Sequence, residues 1–372
     1  MGTIVIVENF CIGYEHAPIN AAFIQKKMIE FPEYKIEFYS EKNHSIAVQN
    51  ILTFEKEKVK FINIEIFRNK NFFYNLYKNL LFFFYIIKAN ESLLITTLTI
   101  YNLIAIKLLL KIINGSNVEI VPHAVLNILS TNKNDSLLKR LKKIITYPIG
   151  VNFWFNNFNN KKLTYIILGE PIAKNLYSIN YKLKYFSKVI NHPYIYTNII
   201  NDTNNFCNKN IKIGFLGIGN MEKGIDKLFY IINKLKKYDI KIEFYLIGKL
   251  NDINNYPKEL VVLSKDNKMI SKEFMDEMAK RMDFYIFLLD KENYKLRASG
   301  TFFDAINYEK PIINLENDFI NFYLKDSCNS LNFKNIEDII NYLKELNKMS
   351  NKEYNILKNK FIKIKTSLME NK

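Results

Sequence analysis

Cysteine is scarce in this chain of 372 residues: Cys11, Cys207 and Cys328 stand far apart, with no C-x-x-C pair and no histidine at ligand spacing. That excludes a disulfide framework and a cysteine-based zinc site, and it fits a reducing compartment, read here as the cytoplasm. No two aspartates lie two residues apart, which removes the D-x-D pair that would hold a divalent cation at a strand end; no metal is expected. An uninterrupted apolar run of bilayer length is also lacking. The longest candidate, LLITTLTIYNLIAIKLLLKII, is broken by Thr96, Thr97, Asn102 and Lys107, so it reads as a strand followed by a core helix. The N-terminus enters directly on TIVIVEN, without the basic head and cleavable apolar body of a signal peptide.

What is present describes a folded protein. Hydrophobic residues make up 48%, charged residues 24% and aromatic residues 15%, which excludes disorder and leaves extra apolar surface to be accounted for. The length favours two domains over one core. A formal net charge of +16 favours anionic partners, although heavy use of Asn, Lys, Ile and Tyr also permits lysines that are merely solvated surface. No DNA- or RNA-binding motif accompanies the charge, so nucleic acid is not an expected partner.

Short β-rich runs alternate with helix-period segments along the whole chain, which predicts an α/β fold of two tandem doubly wound, Rossmann-like sheets. The first half offers TIVIVEN, KIEFYSE, VKFINIEIF, SLLITTL, VEIVPHAV and LTYIILG as strands. The second offers IKIGFLGI, IKIEFYLIG, ELVVLS, DFYIFLLD, PIINLE and NSLNF. Periodicity fails and Asn, Pro and Asp accumulate before residue 211, placing a hinge at 196–210 between domains 1–195 and 211–350. A last helix at 351–372 follows and could pack back across the hinge.

Chemistry concentrates between Ile211 and Asp304. In IKIGFLGIGNMEKGIDKL a strand runs into Gly217, Gly219 and Gly224, where backbone N–H groups can approach an anion, and Lys223 adds a point charge. In RASGTFFDAINYEKPII a helix begins near Ser299. Together these resemble the GT-B fold glycosyltransferases, and among them the retaining group called glycosyltransferase family 4, by architecture over the whole chain and by motif in the second half. The resemblance implies two lobes facing across a cleft, the second binding a nucleotide-diphosphate sugar. Lys223 then matches the lysine that neutralises the diphosphate. Gly217 and Gly219 belong to its loop, Ser299, Gly300 and Thr301 match the phosphate-binding helix start, and Asp304 matches the acidic residue that binds ribose. Two positions depart. Ile218 stands where an arginine is usual, and the first acidic residue of the pair is missing at Leu296 and Arg297. Arg297 would then restore the second cation from the opposite loop.

The first half is expected to hold the acceptor and the reacting centre. In NFCIGYEHAPINAAF, Gly13, Tyr14 and Glu15 mark the acceptor side. His16 is a catalytic candidate beside His123, which ends VEIVPHAV and resembles the histidine that contacts the donor sugar. Glu8 or Glu15 would serve as base if the enzyme inverts. The resemblance implies no cofactor beyond the nucleotide sugar, and a saccharide or lipid-linked acceptor in bacterial surface glycan synthesis.

Two segments, FRNKNFFYNLYKNLLFFFYIIK and LLKRLKKII, mix Arg68, Lys70, Lys78 and Lys88, or Lys139, Arg140, Lys142 and Lys143, with apolar residues. Each can be drawn as a helix lying on an anionic membrane surface at the inner face of the cell membrane, or as a core helix with solvated lysines. Two other readings share the donor cradle: a GT-B-shaped sugar-nucleotide epimerase and a non-catalytic sugar-nucleotide-binding subunit.

Overall fold

The computed structural model describes residues 2–66, 71–122, 125–129, 150–197, 206, 210–238, 240–251, 255–264, 270, 272–324 and 331–370. Seven strands form the first sheet: β1 (Thr3–Glu8), β2 (Lys35–Ser40), β3 (Val59–Asn63), β4 (Ser92–Ile95), β5 (Asn117–Ile120), β6 (Leu163–Leu168) and β7 (Ser187–Ile190). All pairings are parallel and the order is β3-β2-β1-β4-β5-β6-β7. A central parallel strand is covered on both faces, so it needs a continuous apolar run rather than alternation; β1 meets this with Ile4, Val5, Ile6 and Val7 all buried. Its neighbours are set in register by Ile4 opposite Ile36 and Ile6 opposite Leu94. Helix Ala17–Glu30 lays Ala17, Ala21, Phe23, Ile24 and Met28 into a core shared with Ile6, Phe38 and Ile166. The strand order reverses between β1 and β4, and in an open α/β sheet that reversal leaves a crevice at the carboxyl ends of the two strands.

The second sheet repeats the plan with β8 (Ile211–Leu216), β9 (Ile242–Ile247), β10 (Leu260–Val262), β11 (Phe284–Phe287), β12 (Ile312–Leu315) and β13 (Asn332–Phe333) in the order β10-β9-β8-β11-β12-β13, again all parallel. Here the reversal falls between β8 and β11. Helix Ile225–Leu235, with Ile225, Leu228, Ile231, Ile232 and Leu235 buried, covers one face of the sheet. Two short elements illustrate what escaped the sequence pattern. Strand β7 is four residues with no buried position, and helix Asp318–Leu324 is two turns long, too short for a period to emerge.

The chain divides into two units, Met1–Ile195 with Leu296–Ala298, and Tyr196–Lys295 with Ser299–Lys372. The final helix, Asn351–Glu370, belongs to the second. Tyr354 stacks on Phe206 at 4.4 Å and donates to the Asp283 carbonyl at 3.0 Å. Lys365, buried, pairs with Glu309 at 2.8 Å and donates to the carbonyl of Thr197 at 2.8 Å, so the helix fastens the start of the segment read as a hinge. Among the described residues no helix is long and apolar enough to cross a membrane.

Candidate functional site

The carboxyl ends of β1 and β4 carry a buried polar network. Glu8, the last residue of β1, is fully buried and accepts five hydrogen bonds. The backbone N–H groups of Phe10 and Cys11 donate to Oε1, both at 3.0 Å, while Thr97 Oγ1 (2.6 Å), Thr96 Oγ1 (3.0 Å) and Asn20 Nδ2 (3.2 Å) donate to Oε2. Burial alone would raise its pKa, yet the bonds from Thr97 and Cys11 and the neighbouring histidines hold it below the ordinary carboxylate value of 4.5. Glu8 is therefore held as an anion by five donors and anchors the loop that follows β1. Asn102, Asn9 and Asn79 continue the network inward: Asn102 Nδ2 donates to Asn9 Oδ1 at 3.0 Å, and Asn9 Nδ2 to Asn79 Oδ1 at 2.9 Å.

The anchored loop presents the acceptor-side candidates. Gly13 has φ +53°, with open space where a Cβ would stand. Its N–H donates to Glu41 at 3.2 Å and its carbonyl accepts from His44 Nδ1 at 2.8 Å. That bond puts the His44 proton on Nδ1, so Nε2 accepts from Asn20 Nδ2 at 2.8 Å; burial keeps this ring's pKa low. Tyr14 and Glu15 are exposed, and Glu15 Oε2 accepts from the Ile12 N–H at 3.1 Å. His16 caps helix Ala17–Glu30 in the left-handed region, φ 54° and ψ 11°, a conformation costly for a side chain bearing a Cβ. Its Nδ1 lies 3.5 Å from Thr97 Oγ1; because that hydroxyl donates to Glu8, it faces the imidazole as an acceptor. His192 belongs to the same unit, and burial lowers its pKa to about 4.

Glu8, Cys11 and His16 offer an oxygen, a sulfur and a nitrogen within 4.8 Å of one another. The set does not fit a divalent cation. The carboxylate already takes five donors, and burial together with the Glu8 charge pushes the Cys11 thiol away from the thiolate a metal requires.

The second unit brings a lysine and a glycine-rich turn to the carboxyl ends of β8 and β11. The chain leaves β8 through Gly217, φ +87°, whose N–H donates to the Ile247 carbonyl at 2.9 Å. A Cβ there would stand 2.7 Å from Lys223 Nζ and 2.9 Å from the Thr301 methyl. A single turn, Met221–Lys223, is capped by Asn220, whose side chain accepts from the Lys223 N–H at 2.9 Å. Gly224, φ +81°, then admits the Leu288 carbonyl 2.1 Å from where its Cβ would be, which ties the loop to the end of β11. The result is Lys223 Nζ 3.4 Å from Thr301 Oγ1, itself 3.2 Å from Ser299 Oγ. Ser299 caps helix Gly300–Asn307, and Gly300 has open space beside it, so the amides of the first helical turn are approachable.

Gly217, Lys223, Ser299, Gly300 and Thr301 thus come together. Gly219 does not line that space; it bridges to Leu250 and packs against Leu246 and Ile225. Asp304 lies one turn beyond Gly300, where its charge helps push up the phenols of Tyr285 and Tyr308 after burial has done most of it. Arg297 falls in the three-residue stretch Leu296–Ala298 that is grouped with the first unit. His123 lies outside the described residues, as do Arg68, Lys70, Lys139, Arg140, Lys142 and Lys143. Sequence reasoning missed the Glu8 cage. Its trace was visible in Thr96, Thr97 and Asn102, three of the four interruptions of the longest apolar run; all four, Lys107 included, are buried. Among the described residues Lys107 meets no carboxylate. It donates to the Trp154 carbonyl, and to the Asn157 carbonyl and Asn159 Oδ1 at 2.8 Å each, and burial lowers its pKa to about 7.

Two parallel sheets, each with its polar cluster at the carboxyl edge of a strand-order reversal, define the architecture, and solved structures share it along the whole chain. A mutant of S. aureus TarM in complex with fondaparinux, alpha-GlcNAc-glycerol and UDP matches with a TM-score of 0.62 and 11% identity, over 100% of this chain and 97% of that one. The chain has the GT-B fold. The lipopolysaccharide outer core galactosyltransferase WaaB matches this GT-B chain with a TM-score of 0.59 and 11% identity, over 100% and 98% of the two chains. A trehalose-6-phosphate protein of E. coli bound with UDP-2-fluoro glucose gives 0.60 and 10%, over 100% and 96%. No family model matches the sequence. Reticulocyte-binding protein homolog 1 of Plasmodium falciparum is 28% identical over 233 residues, which is 60% of this chain; the chain spans 7% of the length of that curated relative.

Proposed function

We propose that this GT-B protein is a metal-independent glycosyltransferase of the retaining family 4 group, moving a sugar from a nucleotide-diphosphate donor to a saccharide or lipid-linked acceptor in surface glycan synthesis at the cytoplasmic side of the membrane. The observation that carries the reading is the convergence of Lys223 Nζ and Thr301 Oγ1, 3.4 Å apart, over the side-chain-free face of Gly217. Breaking a sugar–phosphate bond leaves a nucleoside diphosphate whose new negative charge must be stabilised as it develops. An ammonium group and the first-turn amides of helix Gly300–Asn307 supply that stabilisation in place, without reorganisation. Arg297 adds the second cation, Asp304 holds the ribose, and His123 with His16 lines the sugar and acceptor side.

The occupied acceptor positions of Glu8 favour retention over an inverting mechanism that uses this carboxylate as base. UDP is the first donor nucleotide to test, since it is present in the TarM complex and a UDP sugar in the E. coli structure. Calorimetric titration of the full chain with UDP and UMP decides the matter. A charge-assisted contact contributes about 1.5–3 kcal/mol, so Lys223→Ala should weaken UDP by roughly tenfold to a hundredfold, change UMP less, and leave the thermal midpoint of the ligand-free protein in place. If the variant binds UDP as the parent does, the diphosphate assignment is wrong.

A further inference from the structure

The hydroxyl beside His16 has already committed its proton. Thr97 Oγ1 carries one hydrogen and two lone pairs, and among the described residues three polar groups meet it: Glu8 Oε2 at 2.6 Å, His16 Nδ1 at 3.5 Å and Cys11 Sγ at 3.7 Å. Glu8 is an anion and can only accept, so the hydrogen points to its Oε2. Both lone pairs are left for donors. Burial holds Cys11 in its S–H form, so the thiol supplies one hydrogen, and the imidazole supplies the other from Nδ1. A parallel route runs through Asn20. Its two amide hydrogens go to Glu8 Oε2 at 3.2 Å and to His44 Nε2 at 2.8 Å, and His44 Nδ1 donates to the Gly13 carbonyl at 2.8 Å. One carboxylate thus orders the protons of two rings, one across a hydroxyl and one across an amide. The rings differ in where they sit: His44 is buried with Nε2 on Asn20, whereas His16 is exposed.

We propose that Glu8, acting through Thr97, is the positioning residue for His16: it fixes the ring proton on Nδ1 and so makes Nε2 a hydrogen-bond acceptor. The opposite tautomer would turn Nε2 into a donor. An accepting Nε2 draws a hydroxyl in by its hydrogen and leaves the oxygen lone pairs facing away from the ring, available to attack; a donating Nε2 would engage those lone pairs instead. That the hydroxyl belongs to the incoming saccharide rests on the sugar-transfer reading. The place of the proton rests on the cage alone.

The test is nitrogen NMR of the full chain labelled at its histidine rings, at about pH 8, above the ordinary histidine range. Four histidines give four ring patterns, assigned by replacing each in turn with glutamine. In the parent, His16 should show a protonated Nδ1 and a bare Nε2, as His44 does. Thr97→Val removes the acceptor, so the His16 pattern should become a mixture of tautomers while that of His44 stays; Thr97→Ser should restore it. Glu8→Gln should go further. The Phe10 and Cys11 amides cannot turn, so the new side chain keeps its oxygen toward them and faces Thr97 with its NH2; the Thr97 hydrogen then swings to His16, and the ring moves to the Nε2–H tautomer. A parent ring protonated on Nε2, or on both nitrogens, overturns the proposal. So does a His16 pattern that neither Thr97→Val nor Glu8→Gln moves. Where a variant fails to fold, the parent pattern and the remaining variant decide. Titration with UDP tests the sugar-transfer reading separately, and a failure there leaves these ring patterns as they are.

Discussion

The two carboxyl edges solve the same topological problem with different materials. In the first unit the crevice at β1 and β4 is filled by side chains: Glu8 fixed by five donors, a chain of three asparagines, and His44 closing the Gly13 turn. In the second unit the crevice at β8 and β11 is kept open by the lack of side chains. Gly217, Gly224 and Gly248 let backbone approach backbone, and one lysine and two hydroxyls face the space that remains. A filled edge fixes the shape of a loop, and an open edge leaves room for a ligand's own charge. In the proposed function the second edge takes the diphosphate, while the first sets the geometry of the loop offered to the acceptor.

The contrast breaks most severely at Gly248. Its φ of +155° and the Gly217 carbonyl 2.0 Å from a would-be Cβ leave no room for alanine without moving the turn that carries Lys223. Gly248→Ala should cost more than about 3 kcal/mol, from backbone strain and displacement together. Chemical denaturation measures it; a loss below 1 kcal/mol would mean that close backbone packing is not what shapes the open edge.

Glu8→Gln attacks the filled edge. The amide keeps one acceptor for Phe10 and Cys11 but turns a donor toward Asn20, and the loss of a buried charged acceptor should cost about 2–4 kcal/mol. Its pH signature is sharper. A carboxylate whose folded pKa is depressed contributes stability that is complete above the unfolded value near 4.5, and that stability is lost as pH falls through the lower folded value. The variant lacks this component, so the gap between parent and variant should close as the solution is acidified below about pH 4. An acid limb with the same gap throughout would show that Glu8 is not held as the buried anion.

These contrasts also explain what the sequence disclosed. The open edge was legible because each of its two halves is local, a strand with its glycine turn and Lys223 within fourteen residues and a helix start 78 residues further on, and the resemblance to a known family paired the two. The filled edge was not, because Thr97 meets Glu8 across a separation of 89 residues and Asn102 meets Asn9 across 93. Only the parallel sheet brings them side by side, and no window along the chain contains both partners. Helix Phe72–Ala89 shows a different gap. Its apolar residues run nearly all round, so periodicity does not say which side faces inward, and the inner side proved to carry Asn75 and Asn79 together with Phe83, Ile86 and Ile87.

The smallest expected change in stability falls where the two edges differ least in material, at a loop residue with positive φ. His16 holds φ 54° without being glycine, at a cost of about 1 kcal/mol that the Glu8 cage sustains. Glycine at this position relieves the strain and loses the ring; alanine loses the ring and keeps the strain. His16→Gly should therefore be more stable than His16→Ala by about 1 kcal/mol, with the glycine variant close to the parent. If the ring serves the acceptor, both should lose turnover equally, by roughly a hundredfold, whatever their stabilities. Turnover that follows stability instead would mean that the histidine only shapes the loop. Unchanged turnover in the glycine variant would leave the strained backbone without a catalytic reason at that residue.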